Sequence, residues 1–265
     1  MMTKFETYAE TFETVRMLRS DDGVLEISLH TEGAEFVWSL GGQRELARLW
    51  QVVADDPDNR VVILTGTGAS FIHEGGVFPE EGWITPSVWK EVHSLGRRLV
   101  LNHLNVEVPI IAAVNGPATL HSEQALLCDI IIADESAVFA DRAHFSHGIV
   151  PGDGIQVIWP YLIGLNRGRY MFLMDQEFTS HEARDLGVIN EVVPVGESLH
   201  RAREIANRLV RKPTVALRSV RQLFLRELRT RMDVGVDVGL MMEGIAGMEH
   251  WPSSHDQTAR HDGHQ

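Results

Sequence analysis

Three short stretches and one indole hold the residue types that acid–base chemistry needs. The first follows an apolar run ending at Val114 and reads Asn115-Gly116-Pro117-Ala118-Thr119-Leu120-His121-Ser122-Glu123. Loops at the carboxyl ends of strands in open α/β sheets are where ligands bind, and His121 lies in such a loop. It can face a ligand there, or it can be a surface residue capping the short helix that follows. The second stretch, Ala143 to Gly154, holds His144 and Asp153. Asp153 stands between glycines ahead of an apolar helical run, Ile155–Leu162, where a carboxylate can cap the helix by accepting backbone N–H bonds. Paired with His144 it would instead fix one imidazole tautomer and raise the basicity of the other nitrogen, which then removes a proton from water. The loop between the two permits contact without requiring it.

The third is Glu243. On a helix starting at Met232, the positions Met232, Val236, Leu240, Glu243 and Gly247 share one face, and Glu243 interrupts that apolar stripe. A carboxylate buried there is costly unless paired; in another register it would stand in solvent. Gly235, Gly239, Gly244 and Gly247 leave the helix little bulk, as though something approaches closely. Trp38, in Phe36-Val37-Trp38-Ser39, needs an acceptor for its N–H if buried; it either packs the core or donates to a ligand oxygen. Gly66-Thr67-Gly68 reads as a tight turn, since no phosphate-binding glycine pattern is completed. His250, His255, His261 and His264 lie in a polar tail that could not preorganise a metal, so no metal site and no cofactor are expected.

The elements that must position these residues can be read from periodicity. Thr14–Arg19 and Val24–His30 flank Asp21-Asp22-Gly23 as a hairpin. Gly42–Ala54 and Ser87–His103 have helical spacing, and Glu123–Leu127 reads as a short helix. Val61–Thr65, Ile110–Val114 and Ile130–Ala133 are short, wholly apolar runs, as expected of strands buried on both faces. That alternation predicts crossover units and a mostly parallel sheet, an α/β fold. From about Glu197 helical patterns follow one another (Glu197–Arg211, Thr214–Arg229, Met232–His250). Residues 1–196 thus read as the α/β core, 197–250 as a helical extension, and 251–265 as a disordered tail.

Composition removes whole classes of function. Among 265 residues, 24 Lys plus Arg face 37 Asp plus Glu, a formal net charge of -13. That balance argues against nucleic acid and anionic membrane as partners. Cys128 is the only cysteine, so neither an internal disulfide nor a thiolate cluster can form. Met1 to Glu13 has no signal-peptide pattern, and no run approaches the roughly 20 apolar residues of a membrane span. The expected location is the cytoplasm, although a secreted protein without disulfides would have the same composition.

Val61-Val62-Ile63-Leu64-Thr65-Gly66, Val108-Pro109-Ile110-Ile111-Ala112-Ala113-Val114-Asn115-Gly116, Cys128-Asp129-Ile130 and Ile149-Val150-Pro151-Gly152 together resemble the crotonase (enoyl-CoA hydratase/isomerase) superfamily, from about Val15 to about Met248. The resemblance implies a ββα spiral core, a C-terminal helical region that helps assembly and completes the site, homotrimers or dimers of trimers, and an oxyanion hole of two backbone N–H groups. The departures carry the functional expectation. The glycine-rich turn after Asn-Gly is shortened, His144 stands where the family has its second catalytic glutamate, and Asp153 replaces a small residue after Pro-Gly. Syn-hydration by two glutamates is therefore not expected.

Phe36-Val37-Trp38, Asn115-Gly116-Pro117 with His121, Ala143-His144-Phe145, Pro151-Gly152-Asp153-Gly154, Trp159-Pro160, Asn166-Arg167-Gly168-Arg169-Tyr170 and Glu243 resemble the branch of 6-oxocamphor hydrolase and related β-diketone hydrolases. That likeness implies a cofactor-independent hydrolase cleaving a C–C bond of a cyclic 1,3-diketone to a keto acid. It implies that Trp38 and His121 hydrogen-bond a substrate carbonyl, that His144 oriented by Asp153 activates water, and that Glu243 completes the polar site. Phe78, Trp83, Phe145 and Ile155 are expected as pocket walls. The rival readings are an enoyl-CoA hydratase/isomerase-type enzyme acting on acyl-CoA thioesters and a non-catalytic assembly module on the same scaffold.

Overall fold

The computed structural model describes residues 4–75 and 85–250. In chain order the elements are β1 (Val15–Arg19), β2 (Val24–Leu29), β3 (Val37–Trp38), α1 (Leu40–Asp55), β4 (Val61–Gly66), β5 (Glu74–Gly75), α2 (Pro86–Asn105), β6 (Ile110–Val114) and α3 (Glu123–Leu126). There follow β7 (Ile130–Asp134), β8 (Val138–Phe139), α4 (Ile155–Ile163), α5 (Leu165–Leu173), β9 (Phe178–Thr179), α6 (Ser180–Asp185), β10 (Glu191–Val193), α7 (Ser198–Leu209) and α8 (Thr214–His250). Phe78, Trp83 and the 251–265 tail lie outside the described residues.

One six-stranded sheet has the order β1-β2-β4-β6-β7-β10. Only the β1–β2 hairpin is antiparallel; β2–β4, β4–β6, β6–β7 and β7–β10 are parallel. Gly23 takes the hairpin's positive φ of 88°, and its N–H donates to Ser20 O. The apolar strands are explained by alternation between two layers. Val61, Ile63, Ile111, Ala113 and Ile132 pack against Ala202, Ile205 and Ala206 of α7. Val62, Leu64, Ile110, Ala112 and Ile131 face the main core instead, with Leu46, Trp50 and Leu104 from α1 and α2. Both faces of these strands are covered, so apolar residues fill them, and the polar residues near their ends are satisfied: Thr65 donates to Ala113 O and Asp134 accepts from Gly196 and Ser198. Ser39 caps α1 by accepting the Gly42 N–H, and Thr85 caps α2 from Val88, with Pro86 at its first position.

A second, thinner layer matters more for function. β3 pairs with β5, and β8 pairs with β9. Isolated bridges Ile72–Ala118 and Ala118–Phe139 link the segments between them. The chain thus leaves this layer at three neighbouring points, just after Trp38, Ala118 and Phe139.

Two helices were expected between Thr214 and His250, and the structure has one of 37 residues, about 55 Å long at 1.5 Å per residue. No Gly or Pro breaks the junction. The buried positions Leu225, Leu228, Met232, Val236 and Leu240 carry the same face straight through it, and Arg231 pairs with Glu227 one turn back. Arg221, buried against Asp129 at 2.7 Å, donates to Val106 O, and Arg229 donates to Leu104 O. These bonds tie α8 to the carbonyl end of α2.

Candidate active site

The exits from the thin layer bring the expected residues together. Trp38, buried at the end of β3, stacks its indole on the His121 ring, with centroids 3.6 Å apart and planes 18° from parallel. His121 comes three residues after the Ala118 bridge, where the Thr119 and Leu120 N–H groups both donate to Ile72 O. Its φ is 49°, a left-handed conformation that costs a non-glycine residue on the order of 1 kcal/mol and tends to mark functional positions. Its Nδ1 is held between two carboxylates, 2.7 Å from Asp153 Oδ2 and 3.2 Å from Glu123 Oε1.

His144 follows the third exit and is 2% exposed. The reading from sequence gave its orienting carboxylate as Asp153. The structure corrects this: Nδ1–H donates to Asp141 Oδ1, at 2.7 Å. Asp153 Oδ2 faces the opposite nitrogen, Nε2, at 3.6 Å, and Glu243 Oε1 faces Nε2 at the same distance. Asp153 can reach both histidines because it sits between Gly152 and Gly154 at the start of α4. There Oδ1 accepts the Ile155 N–H at 3.3 Å, so helix capping and site duty fall to different oxygens of one carboxylate. The two imidazoles stand edge to face, with centroids 6.0 Å apart.

Glu243 arrives from α8 on the face predicted for it, one turn beyond Leu240. The approach depends on glycine: a Cβ on Gly152 would strike Gly239 O, and a Cβ on Gly239 would strike Gly152 O. Gln156 Nε2 locks the contact by donating to Gly152 O at 3.1 Å and Gly235 O at 3.0 Å. Trp89 Nε1 donates to Leu240 O at 2.8 Å. The loops below are joined by Trp159 Nε1 donating to Ser122 Oγ, which donates to Ala140 O.

Of the expected pocket walls, Phe145 is 44% exposed and Ile155 is fully buried in the main apolar core. Glu123, given no role from sequence, proves wholly buried beside His121. Asp141 was missed altogether. Its signal was local: an acidic residue three positions before a histidine, in a turn where its carboxylate also accepts the Ala143 N–H.

Four carboxylates and two imidazoles in one buried cluster must settle their protons among themselves. Burial pushes His121 down, but the charges of Glu123 and Asp153 outweigh it and lift the imidazole from 6.5 to about 9. Burial likewise opposes protonation of His144, yet Asp141, Asp153 and Glu243 together raise it well above the ordinary value. Burial would raise Asp153; the charges of His144 and His121 reverse this and hold it well below the usual carboxylate range. Glu243 is pushed from 4.5 to about 8 by burial, with His144 opposing and Asp153 adding repulsion. Glu123 is raised by burial and by Asp153. The shifts thus favour an ionised Asp153 between charged imidazoles and the protonated form of Glu243. Glu123 Oε2 and Glu243 Oε2 are buried and take part in no hydrogen bond among the described residues.

His121, Glu123 and Asp153 each offer one ligand atom within 4.8 Å of the others. Asp153 Oδ2 stands 2.7 Å from Nδ1 as an ion pair, while the hydrogen bond at Nδ1 is to Glu123 Oε1. Ligand atoms about 2.0–2.1 Å from a tetrahedral zinc would stand roughly 3.3 Å apart, which the 3.2 Å between His121 Nδ1 and Glu123 Oε1 matches and the 2.7 Å to Asp153 Oδ2 does not.

The family model for enoyl-CoA hydratase/isomerase matches residues 19–244, and the chain belongs to that family. Its α/β architecture, with a central parallel sheet and a long C-terminal helix, is the crotonase fold. Similar curated proteins include a probable peroxisomal enoyl-CoA hydratase of Arabidopsis thaliana, 36% identical over 63% of this chain and 62% of its own length. Another is a short-chain-enoyl-CoA hydratase of Clostridium acetobutylicum, 30% identical over 69% of this chain and 70% of its own. Among solved structures, a β-diketone hydrolase of the cyanobacterium Anabaena sp., bound to (S)-3-oxocyclohexyl acetic acid, is 39% identical. It covers 91% of this chain and 97% of its own, with a TM-score of 0.89.

Proposed function

We propose that this protein hydrolyses a C–C bond of a cyclic 1,3-diketone, releasing a keto acid. The observation that carries the reading is His144: its Nδ1 is hydrogen-bonded to Asp141, while its Nε2 faces Asp153 and Glu243 at 3.6 Å each, beyond hydrogen-bond length, which leaves that nitrogen to take a proton from water. In its neutral form His144 takes a proton from that water at Nε2. The water oxygen bonds to one carbonyl carbon, whose π pair moves onto its oxygen. The oxyanion then re-forms C=O and breaks the bond to the carbon between the carbonyls. That bond's electron pair becomes an enolate on the second carbonyl. Returning the proton from His144 to the enolate carbon balances the reaction, with one water consumed.

Negative charge develops on oxygen twice, and donors aimed there are worth on the order of 3 kcal/mol each. The His121 imidazolium and the indole N–H of the stacked Trp38 supply them. Backbone donors at Thr119 and Leu120 are already spent on Ile72 O. The molecule bound by the Anabaena hydrolase supports the reading: it is a keto acid of the kind left when water adds across a C–C bond of a bicyclic 1,3-diketone.

The curated relatives named as enoyl-CoA hydratases favour a second reading, hydration or isomerisation of acyl-CoA thioesters. Incubating the purified protein with monocyclic and bicyclic 1,3-diketones, and separately with crotonyl-CoA, decides between them. Loss of diketone absorbance with stoichiometric keto acid is the expected result. Crotonyl-CoA turnover with inert diketones overturns it.

Assembly as a homotrimer or dimer of trimers remains part of the proposal, supported by the exposed Val234, Val238, Met241 and Ile245 along α8. Light scattering after size exclusion tests it. Among the described residues no helix is long and apolar enough to cross a membrane.

A further inference from the structure

We infer that Asp141 is the positioning residue for His144, holding its Nδ1–H so that the Nε2 lone pair is presented to the reaction. The inference rests on the reading of His144 as the base and names the group that makes it one. Asp153 cannot hold Nδ1, because it contacts Nε2 of this ring and Nδ1 of the other. Each imidazole thus has its own carboxylate on Nδ1: Asp141 hydrogen-bonds that of His144, and Glu123 hydrogen-bonds that of His121, with Asp153 in ion-pair contact beside it.

The surroundings of Asp141 suit the task. The carboxylate is buried, and Oδ1 accepts both the His144 N–H and the backbone N–H of Ala143 at 3.2 Å. That double bond pattern sets the carboxylate and the His144 backbone in one rigid turn. On either side the turn is pinned to the loop carrying His121: Ala140 N–H donates to Ala118 O, and Arg142 N–H donates to Thr119 O. Oδ2 is buried and takes part in no hydrogen bond among the described residues, so no other donor draws its charge away from the ring. A carboxylate so placed stabilises the imidazolium that forms as water loses its proton, and it fixes which nitrogen is basic. The groups facing His144 from neighbouring elements are Asp153 ahead of α4, Glu243 on α8 and His121 after β6; they act on Nε2 or across the cleft.

Asp141→Asn keeps the shape of the side chain and removes its charge. The expected result is a fall in kcat of about 10²- to 10⁴-fold with KM changed less than threefold, and an acid limb of kcat/KM displaced to lower pH. Asp141→Glu should restore part of the loss. Circular dichroism and the melting curve of each variant establish that it is folded. The deciding arm needs no substrate: nitrogen-15 NMR of histidine-labelled protein, assigned with His144→Ala, follows the titration and tautomer of His144. Its midpoint should drop in folded Asp141→Asn, while that of His121 moves little. A His144 midpoint and tautomer identical in wild type and Asp141→Asn overturn the inference, whether or not any diketone is cleaved. Failure of wild type to cleave diketones, with the NMR shift present, overturns the proposed reaction alone.

Discussion

Two buried regions of the molecule, the layer between the central sheet and α7 and the cluster beside α8, are chemically opposite. Toward α7, the buried layer is Val61, Ile63, Ile111, Ala113 and Ile132 against alanines and Ile205. At the α8 end, the buried set is His144, Glu123, Asp141, Asp153 and Glu243 with the half-buried His121, wedged under Trp38 and backbone-close glycines. Taking an ion out of water costs several kcal/mol even after relaxation, and the first layer shows that this chain builds a core without any. The difference teaches that the polar cluster serves something other than cohesion. Its members compensate one another, since His121 and His144 are raised and Asp153 is lowered in spite of burial.

That contrast predicts opposite responses to substitution. His144→Ala should leave the fold intact and reduce kcat/KM by about 10³- to 10⁴-fold; initial rates with circular dichroism check it. Ile63→Ala should do the reverse, costing about 2–4 kcal/mol of unfolding free energy while kcat per folded molecule stays unchanged. Denaturant titration measures the first quantity, provided unfolding is two-state.

A bulky residue at Gly239 tests the close approach between the regions. Gly239→Val should push α8 off the Gly152 loop, withdraw Glu243 and lower kcat by roughly 10²-fold, in line with the sensitivity of reactions to about 1 Å misplacement. A near-wild-type rate would show that the contact is dispensable.

The pH dependence sharpens the comparison further. The base must be neutral, and His144 is raised well above 6.5, so kcat/KM should climb with pH through a limb above the ordinary imidazole range and fall as pH drops. The donor His121 must be protonated, so activity should decline again near pH 9. The smallest expected effect is at Glu243. Its folded value of about 8 exceeds its unfolded value near 4.5, so the stability it contributes is full below 4.5 and lost as pH rises to about 8. Glu243→Gln, which copies the protonated form, should show a flatter melting-temperature profile across that window.

Much of the scaffold was legible because burial on both faces leaves uninterrupted apolar strands, as at Val61–Gly66, and because Asp-Gly announces a hairpin. Trp38, His121, His144, Asp153 and Glu243 were also legible as candidates, since each breaks an apolar or glycine-rich context at a cost a plain scaffold would avoid. Which carboxylate meets which imidazole was not. Asp141 and His144 are joined across a three-residue turn that looks like any polar turn, whereas Asp153 looked special because of its flanking glycines. The two-residue strands β3, β5, β8 and β9 are too short for a period to show, and they are what gathers the site. The continuity of α8 was missed because Thr230 and Arg231 look like a polar break when the face through Leu228 and Met232 is not followed across them.

The central claim is that water, made nucleophilic at His144, adds to a diketone carbonyl. Single-turnover reactions in ¹⁸O-enriched water, with wild type and His144→Ala at equal concentration, test it most directly by mass spectrometry of the products. The account predicts one ¹⁸O in the new carboxylate of the wild-type keto acid, and only background product with the variant. Unlabelled carboxylate, or labelled product formed at the same rate without the imidazole, would contradict it.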